Sequence, residues 1–143
     1  MKTKTIITAI ILLFSITSFA QAKEEAMAWI KEKLEQYGGA DNSSYSNVQV
    51  SPCNISFIEK KTNGWEWQYS FNPSMVKSWG VGSGKTYIYA DAEIIQFTYF
   101  PDGKKKYSSS YLSIRNGESG IHERMIKALT HLVTFCEQKK EAF

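Results

Sequence analysis

The hydrophobic residues of this chain change their spacing twice, and those changes bound the folds open to it. From Lys23 to Tyr37, the apolar positions Ala26, Ile30, Leu34 and Tyr37, with Met27 and Trp29 beside them, recur at helical spacing. Glu24, Glu25, Lys31, Glu32 and Glu35 fall mostly on the other side, and Gly38-Gly39 is a natural stop. From Val48 the period becomes two. Cys53, Ile55 and Phe57 alternate with Asn54 and Ser56, then Trp65, Trp67, Tyr69 and Phe71 alternate with Glu66, Gln68 and Ser70. The intervening Lys60 to Gly64, ending in Asn63-Gly64, predicts a hairpin loop, so these two runs pair antiparallel. Further strands are expected at Thr86–Ala90, Ile94–Phe100 and Tyr107–Ile114, the last two joined by a Pro101-Asp102-Gly103 turn. Helical spacing returns with Ile121, Met125, Leu129, Leu132, Val133 and Cys136, which predicts a closing helix of roughly 18 residues.

Between these elements, Ala40–Asn47 is polar and reads as a connector, Asn72-Pro73-Ser74 breaks a strand, and Gly80–Gly84 reads as a flexible loop. Met75–Trp79 is compatible with either a helical turn or an extended segment. The order helix, meander of five to six strands, helix predicts an α+β domain, with the antiparallel sheet covered on its apolar face by the N-terminal and C-terminal helices. A strongly curled version of the same meander is a pleckstrin-homology-like partial barrel.

The chain opens with a short basic stretch, Met1-Lys2-Thr3-Lys4, an apolar run from Ile6 to Ile16, and the small-x-small triplet Ala20-Gln21-Ala22. That is the pattern of a secretory signal peptide over residues 1–22, leaving 23–143 as a single domain. The apolar run falls short of the roughly 20 residues that span a bilayer, so no stable membrane anchor is expected. Removing 22 of the 143 residues leaves 121, enough for one core. Two of the 17 basic residues, Lys2 and Lys4, leave with the leader, so 15 stand against 14 acidic ones and the balance is +1. A near-neutral chain lacks the basic face that nucleic-acid binding uses, and Lys104-Lys105-Lys106 reads as a solvated loop tip that guards a sheet edge. In an exported chain, two cysteines without metal-ligand spacing predict one disulfide, Cys53 to Cys136, stapling the sheet to the last helix.

Several motifs fail on inspection. Gly82-Ser83-Gly84-Lys85-Thr86 resembles a phosphate loop, but Trp79 stands where its first glycine belongs and a strand follows where a helix is required, so no nucleotide is expected. His122-Glu123-Arg124-Met125-Ile126 lacks the second histidine of a zinc helix; His122 reads as a surface or capping residue, and neither metal nor cofactor is expected. Of the carboxylates that a small hydrolase acting on extracytoplasmic polymers needs, Glu59, Glu66, Asp91 and Glu93 are candidates, with His122 beside them. Glu59 and Glu66 fall on opposite faces of their strands, and surface charge explains each of the four.

The richest feature is aromatic. Trp65, Trp67, Tyr69 and Phe71 form a ladder that Tyr87, Tyr89, Phe97, Tyr99, Phe100 and Tyr111 extend over neighbouring strands. Part of it is core, yet aromatics on both faces of some strands leave certain rings exposed, and exposed Tyr and Trp serve sugar platforms and protein interfaces. Trp65, Trp67, Tyr69, Tyr87 and Tyr89 are therefore the expected ligand-binding residues of a non-enzymatic domain. Its partner is expected to be a protein or a small-molecule or glycan ligand. The alternatives are a carbohydrate-binding module and the small hydrolase above. The run Ala128-Leu129-Thr130-His131-Leu132 through Phe135-Cys136, following such a meander, resembles small exported bacterial domains of uncharacterised function, a likeness that implies no activity.

Overall fold

A computed structural model describes residues 2–100, 103 and 106–137, with side chains from Phe19 onward except those of Lys85 and Phe100. The first helix, α1, spans Lys2–Tyr37, so the amphipathic stretch expected from Lys23 is the C-terminal part of a longer helix that includes most of the residues expected to form a leader. Its buried positions, Ile30 and Leu34, are those the periodicity picks out. Gly38 and Gly39 end it as expected, Gly39 at a φ of 102° that disfavours any side chain. They also do more. The Gly39 N–H donates to the Ser113 carbonyl at 2.9 Å, while the Gly38 carbonyl accepts the Tyr45 N–H at 3.3 Å. A side chain on Gly38 would overlap the Tyr45 ring and the Leu34 carbonyl.

Eight strands follow among the described residues, all paired antiparallel: β1 (Ser43–Ser51), β2 (Asn54–Lys61), β3 (Glu66–Phe71), β4 (Trp79–Val81), β5 (Tyr87–Ala90), β6 (Ile95–Phe100), β7 (Lys106–Ser109) and β8 (Tyr111–Ser113). They form a five-stranded sheet in the order β1-β2-β3-β6-β7 and a three-stranded sheet in the order β4-β5-β8. Helix α2 (Ile121–Glu137) closes the described chain. The α+β class stands, with more strands than the meander of five to six and no closure into a barrel. The single strand expected over Tyr107–Ile114 breaks at Ser110, and its two halves serve different sheets.

Three local expectations are corrected. Ala40–Asn47 is not all connector, because β1 begins at Ser43: Tyr45 stacks on Phe57 with ring centroids 4.0 Å apart, and both Ser43 and Tyr45 are buried. A bulge at Asn47, with φ 56°, lets Val48 point inward as well. Cys53 lies in the β1–β2 turn rather than in a strand. Gly80–Gly84 is not a free loop, since Gly80 and Val81 pair with Tyr89 and Ile88, and Ser83–Lys85 forms a 3₁₀ turn. Met75–Trp79 resolves into the end of another 3₁₀ turn, Pro73–Met75, and the start of β4. The Pro101-Asp102-Gly103 turn and Lys104-Lys105 lie mostly outside the described residues.

The core fills the space between the sheets and helices, with Ile55, Phe57, Phe71, Ile88, Leu112 and Ile114 meeting Ile30, Leu34, Met125, Leu129 and Leu132. Cys53 and Cys136 are bonded, with Cα atoms 5.1 Å apart, which pins the β1–β2 turn to the last turn of α2 and fits a non-reducing setting. His122 is not at the surface: it is 1% exposed, and its Nε2 meets the Ile114 carbonyl at 2.8 Å. Between the helices, Glu118 accepts from Lys33 and Tyr37, each at 3.2 Å, and pairs with Arg124. Among residues with described side chains, no helix is long and apolar enough to cross a membrane.

Candidate functional site

Cross-strand register builds two rows of side chains on the inner face of the five-stranded sheet. In one, Tyr45 faces Glu59, Glu59 faces Trp67, and Trp67 faces Tyr99. In the other, Phe57 faces Tyr69, Tyr69 faces Phe97, and Phe97 faces Tyr107. Because neighbouring strands lie about 4.8 Å apart, flat rings standing on adjacent strands can touch face to face. They do so here in one unbroken series: Tyr45 on Phe57, Phe57 on Tyr69 at 5.0 Å, Tyr69 on Phe97 at 5.0 Å, and Phe97 on Tyr107 at 5.4 Å. One ring comes from each strand of the sheet. Each stacked pair adds about 0.5 to 1.5 kcal/mol beyond its buried area. Burial decreases along the series, from Phe57 at 1% to Tyr107 at 43% exposed.

A cavity of about 350 Å³ opens beside this series, lined by Tyr45, Glu59, Tyr69, Phe97, Glu93 and Tyr111, with Lys61 and the serines of β7 and β8. Its most unusual member is Glu59. Period-two spacing from Ile55 and Phe57 places this carboxylate on the apolar face, where it is 7% exposed; the surface role expected for it is wrong. Two hydroxyls satisfy it: Ser43 Oγ donates to Oε1 at 2.6 Å and Tyr69 Oη donates to Oε2 at 2.8 Å. Ser43 in turn accepts the Ala40 N–H at 2.9 Å, which fixes the direction of its own proton. No described residue forms an ion pair with Glu59. Burial, and then the negative charge of Glu59, push the phenol pKa values of Tyr45 and Tyr69 well above the ordinary range, so both keep their protons. Tyr45 Oη also accepts the Ser113 N–H at 3.1 Å, which ties this wall to β8.

The expected binding residues divide between two places. Trp67 and Tyr69 belong to the inner face, and Trp65, half exposed, extends it through a ring contact with Tyr99 at 5.2 Å. The Trp67 Nε1 is buried and donates to no described atom. Tyr87 and Tyr89 do not continue this ladder. They stand on the three-stranded sheet, 4.7 Å apart, and form a separate ridge with Tyr111. Hydrogen bonding to Tyr89 and Ser83 draws the Tyr87 phenol below its ordinary pKa, and the bond to Tyr87 raises that of Tyr89. Phe100 lies outside the described side chains.

Of the four carboxylates, Glu66 pairs with Lys60 at 3.2 Å on the opposite face, and Asp91 accepts the Lys77 N–H at 2.9 Å. Glu93 accepts from Ser108 at 3.1 Å and shares the cavity with Glu59. Among the described residues no cluster of His, Cys, Asp and Glu is placed to hold a metal. A second, more open groove of about 460 Å³ runs between α1 and α2 over Ala22, Ala26, Trp29 and Ala128. In comparisons with known proteins, no family model, curated protein or solved structure matches this chain.

Sequence reasoning passed over Ser43 and Tyr45, whose neighbours Asn42, Ser44, Ser46 and Asn47 are all polar. The signal for Glu59 was present, since it continues the alternation of Ile55 and Phe57.

Proposed function

We propose that this chain is an exported, non-enzymatic binding domain that holds a small ligand in the cavity between Tyr45 and Tyr111. One observation carries the reading: a ligand-sized cavity whose floor is a desolvated carboxylate held by Ser43 and Tyr69 and walled by stacked rings. Small-ligand sites combine apolar walls with a few convergent polar groups in this way. Stacking covers the faces of Tyr69 and Phe97, so their edges serve as rigid walls rather than as sugar platforms. Export is supported by the leader pattern ending at Ala22 and by the disulfide, and predicts a processed form that begins at Lys23. The test is a thermal-shift screen of small polar metabolites on the wild type and on the Glu59→Gln and Tyr69→Phe variants. The reading predicts hits whose stabilisation falls in both variants; hits unaffected by either place the ligand elsewhere.

A second reading, glycan or protein binding, draws support from the other aromatic group. Tyr89 and Tyr111 are 37% and 49% exposed and, with Tyr87, offer a compact ridge. Retention on a polysaccharide matrix that Tyr89→Ala and Tyr111→Ala abolish, with Glu59→Gln unaffected, favours this reading over the first.

A further inference from the structure

We propose that the cavity at Glu59 selects a small organic ammonium that carries an oxygen acceptor at its other end, the chemistry shared by amino sugars and amino acids. The inference rests on the binding reading above and names the ligand class of that site.

The first ground is that Glu59 has no charged partner among the described residues. A carboxylate that is 7% exposed is costly unless paired, and its two partners here are neutral hydroxyls. An ionised carboxylate offers about four acceptor positions, so two hydrogen bonds leave capacity for a ligand donor. The second ground is the direction of the surrounding protons. Ser43 and Tyr69 both spend theirs on Glu59. Neither of these hydroxyls can then donate to a ligand beside Glu59, and Glu93 adds a second carboxylate to the same cavity. A cation with several N–H groups complements such a surface, and hydrogen bonds between ionised partners are about twice as strong as neutral ones.

The third ground is Lys61. It faces Ser43 across β1 and β2 and lines the same cavity, but forms no ion pair with Glu59. Its ammonium is left to meet an acceptor on the ligand, so a bare amine is a poorer fit than one bearing a hydroxyl or carboxylate. Volume sets the size. At about 350 Å³ the cavity lies at the lower end of small-molecule sites, which suits one sugar ring or one amino acid.

The test compares matched probes on the full chain by tryptophan fluorescence, because Trp67 touches the stack at Phe97, 5.5 Å away. Glucosamine is titrated against glucose, and serine against glycerate; in each pair the ammonium is exchanged for a hydroxyl. The expected result is that the ammonium member of at least one pair binds about tenfold tighter or more. Glu59→Gln should abolish that preference, whereas Tyr69→Phe weakens binding but keeps it. Which pair responds separates a sugar from an amino-acid ligand. Equal or tighter binding of the hydroxyl members, or a preference that survives Glu59→Gln, overturns the ammonium class while leaving a ligand in the cavity. Binding by none of the four overturns it too, and the metabolite screen then decides the fate of the broader reading. The wild-type comparison needs no variant, so it stands even where Glu59→Gln fails to fold.

Discussion

Replacing both cysteines, Cys53→Ala with Cys136→Ala, isolates the contribution of the covalent staple. The bond joins residues separated by 83 positions, so in the reduced chain the unfolded ensemble regains most of the conformational freedom of the domain. The chain-entropy relation gives about 4.5 kcal/mol at 25 °C for a loop of that length. For a domain of this size, each kcal/mol moves the melting temperature by about 3 to 5 °C, so the loss corresponds to about 15 to 20 °C. Double replacement leaves no stray thiol, and alanine places no new polar group against the buried end of α2, where Cys136 is 5% exposed. Urea denaturation followed by circular dichroism gives both stability and its denaturant slope. The slope should rise, since an unlinked unfolded chain exposes more surface. A loss below about 1 kcal/mol with an unchanged slope would refute the reasoning, because the bond would then not restrain the unfolded chain.

Three further outcomes follow from named contacts. Tyr69→Phe keeps the stacked ring but strips a donor from buried Glu59, and should cost about 1.5 to 3 kcal/mol in denaturant unfolding; a neutral result removes Glu59 from its assigned surroundings. Gly38→Ala drives a methyl group into the Tyr45 ring and the Leu34 carbonyl, and should cost about 1 to 3 kcal/mol by the same assay. Alkaline stability follows from the raised phenols of Tyr45 and Tyr69, whose ordinary value is 10.0. The folded state keeps protons that the unfolded chain releases, so their contribution is intact below about pH 10 and declines as the pH climbs past it. Tyrosinate absorbance should show two of the eight tyrosines ionising only as the circular dichroism signal collapses; smooth ionisation of all eight in the folded state contradicts their burial.

Spacing alone located the elements whose side chains pack in simple periods. The stripe Ile121, Met125, Leu129, Leu132 and Cys136 is buried as the helical repeat requires, and the pairing of the Ile55 and Trp65 runs follows from Asn63-Gly64. What spacing could not convey is which residues on different strands become neighbours. Trp65, Trp67, Tyr69 and Phe71 are a ladder along one strand, yet the continuous stack runs across five strands and takes only Tyr69 from that ladder. Tyr87 and Tyr89 resemble their continuation in composition, but their strand, β5, pairs with β4 and β8 in a second sheet, away from the stack. Ser43 and Tyr45 were hidden because a strand that buries one hydroxyl and one phenol, and then bulges at Asn47, has no apolar alternation to display.

The most direct test is to map the backbone and ring resonances that shift when a hit from the metabolite screen is titrated into the isotopically labelled chain. Shifts concentrated on Tyr45, Glu59, Tyr69, Phe97 and Tyr111, and largely lost in Glu59→Gln, are the predicted result. Shifts confined to Tyr87, Tyr89 and the outer sheet, with the Glu59 surroundings unmoved, would contradict it.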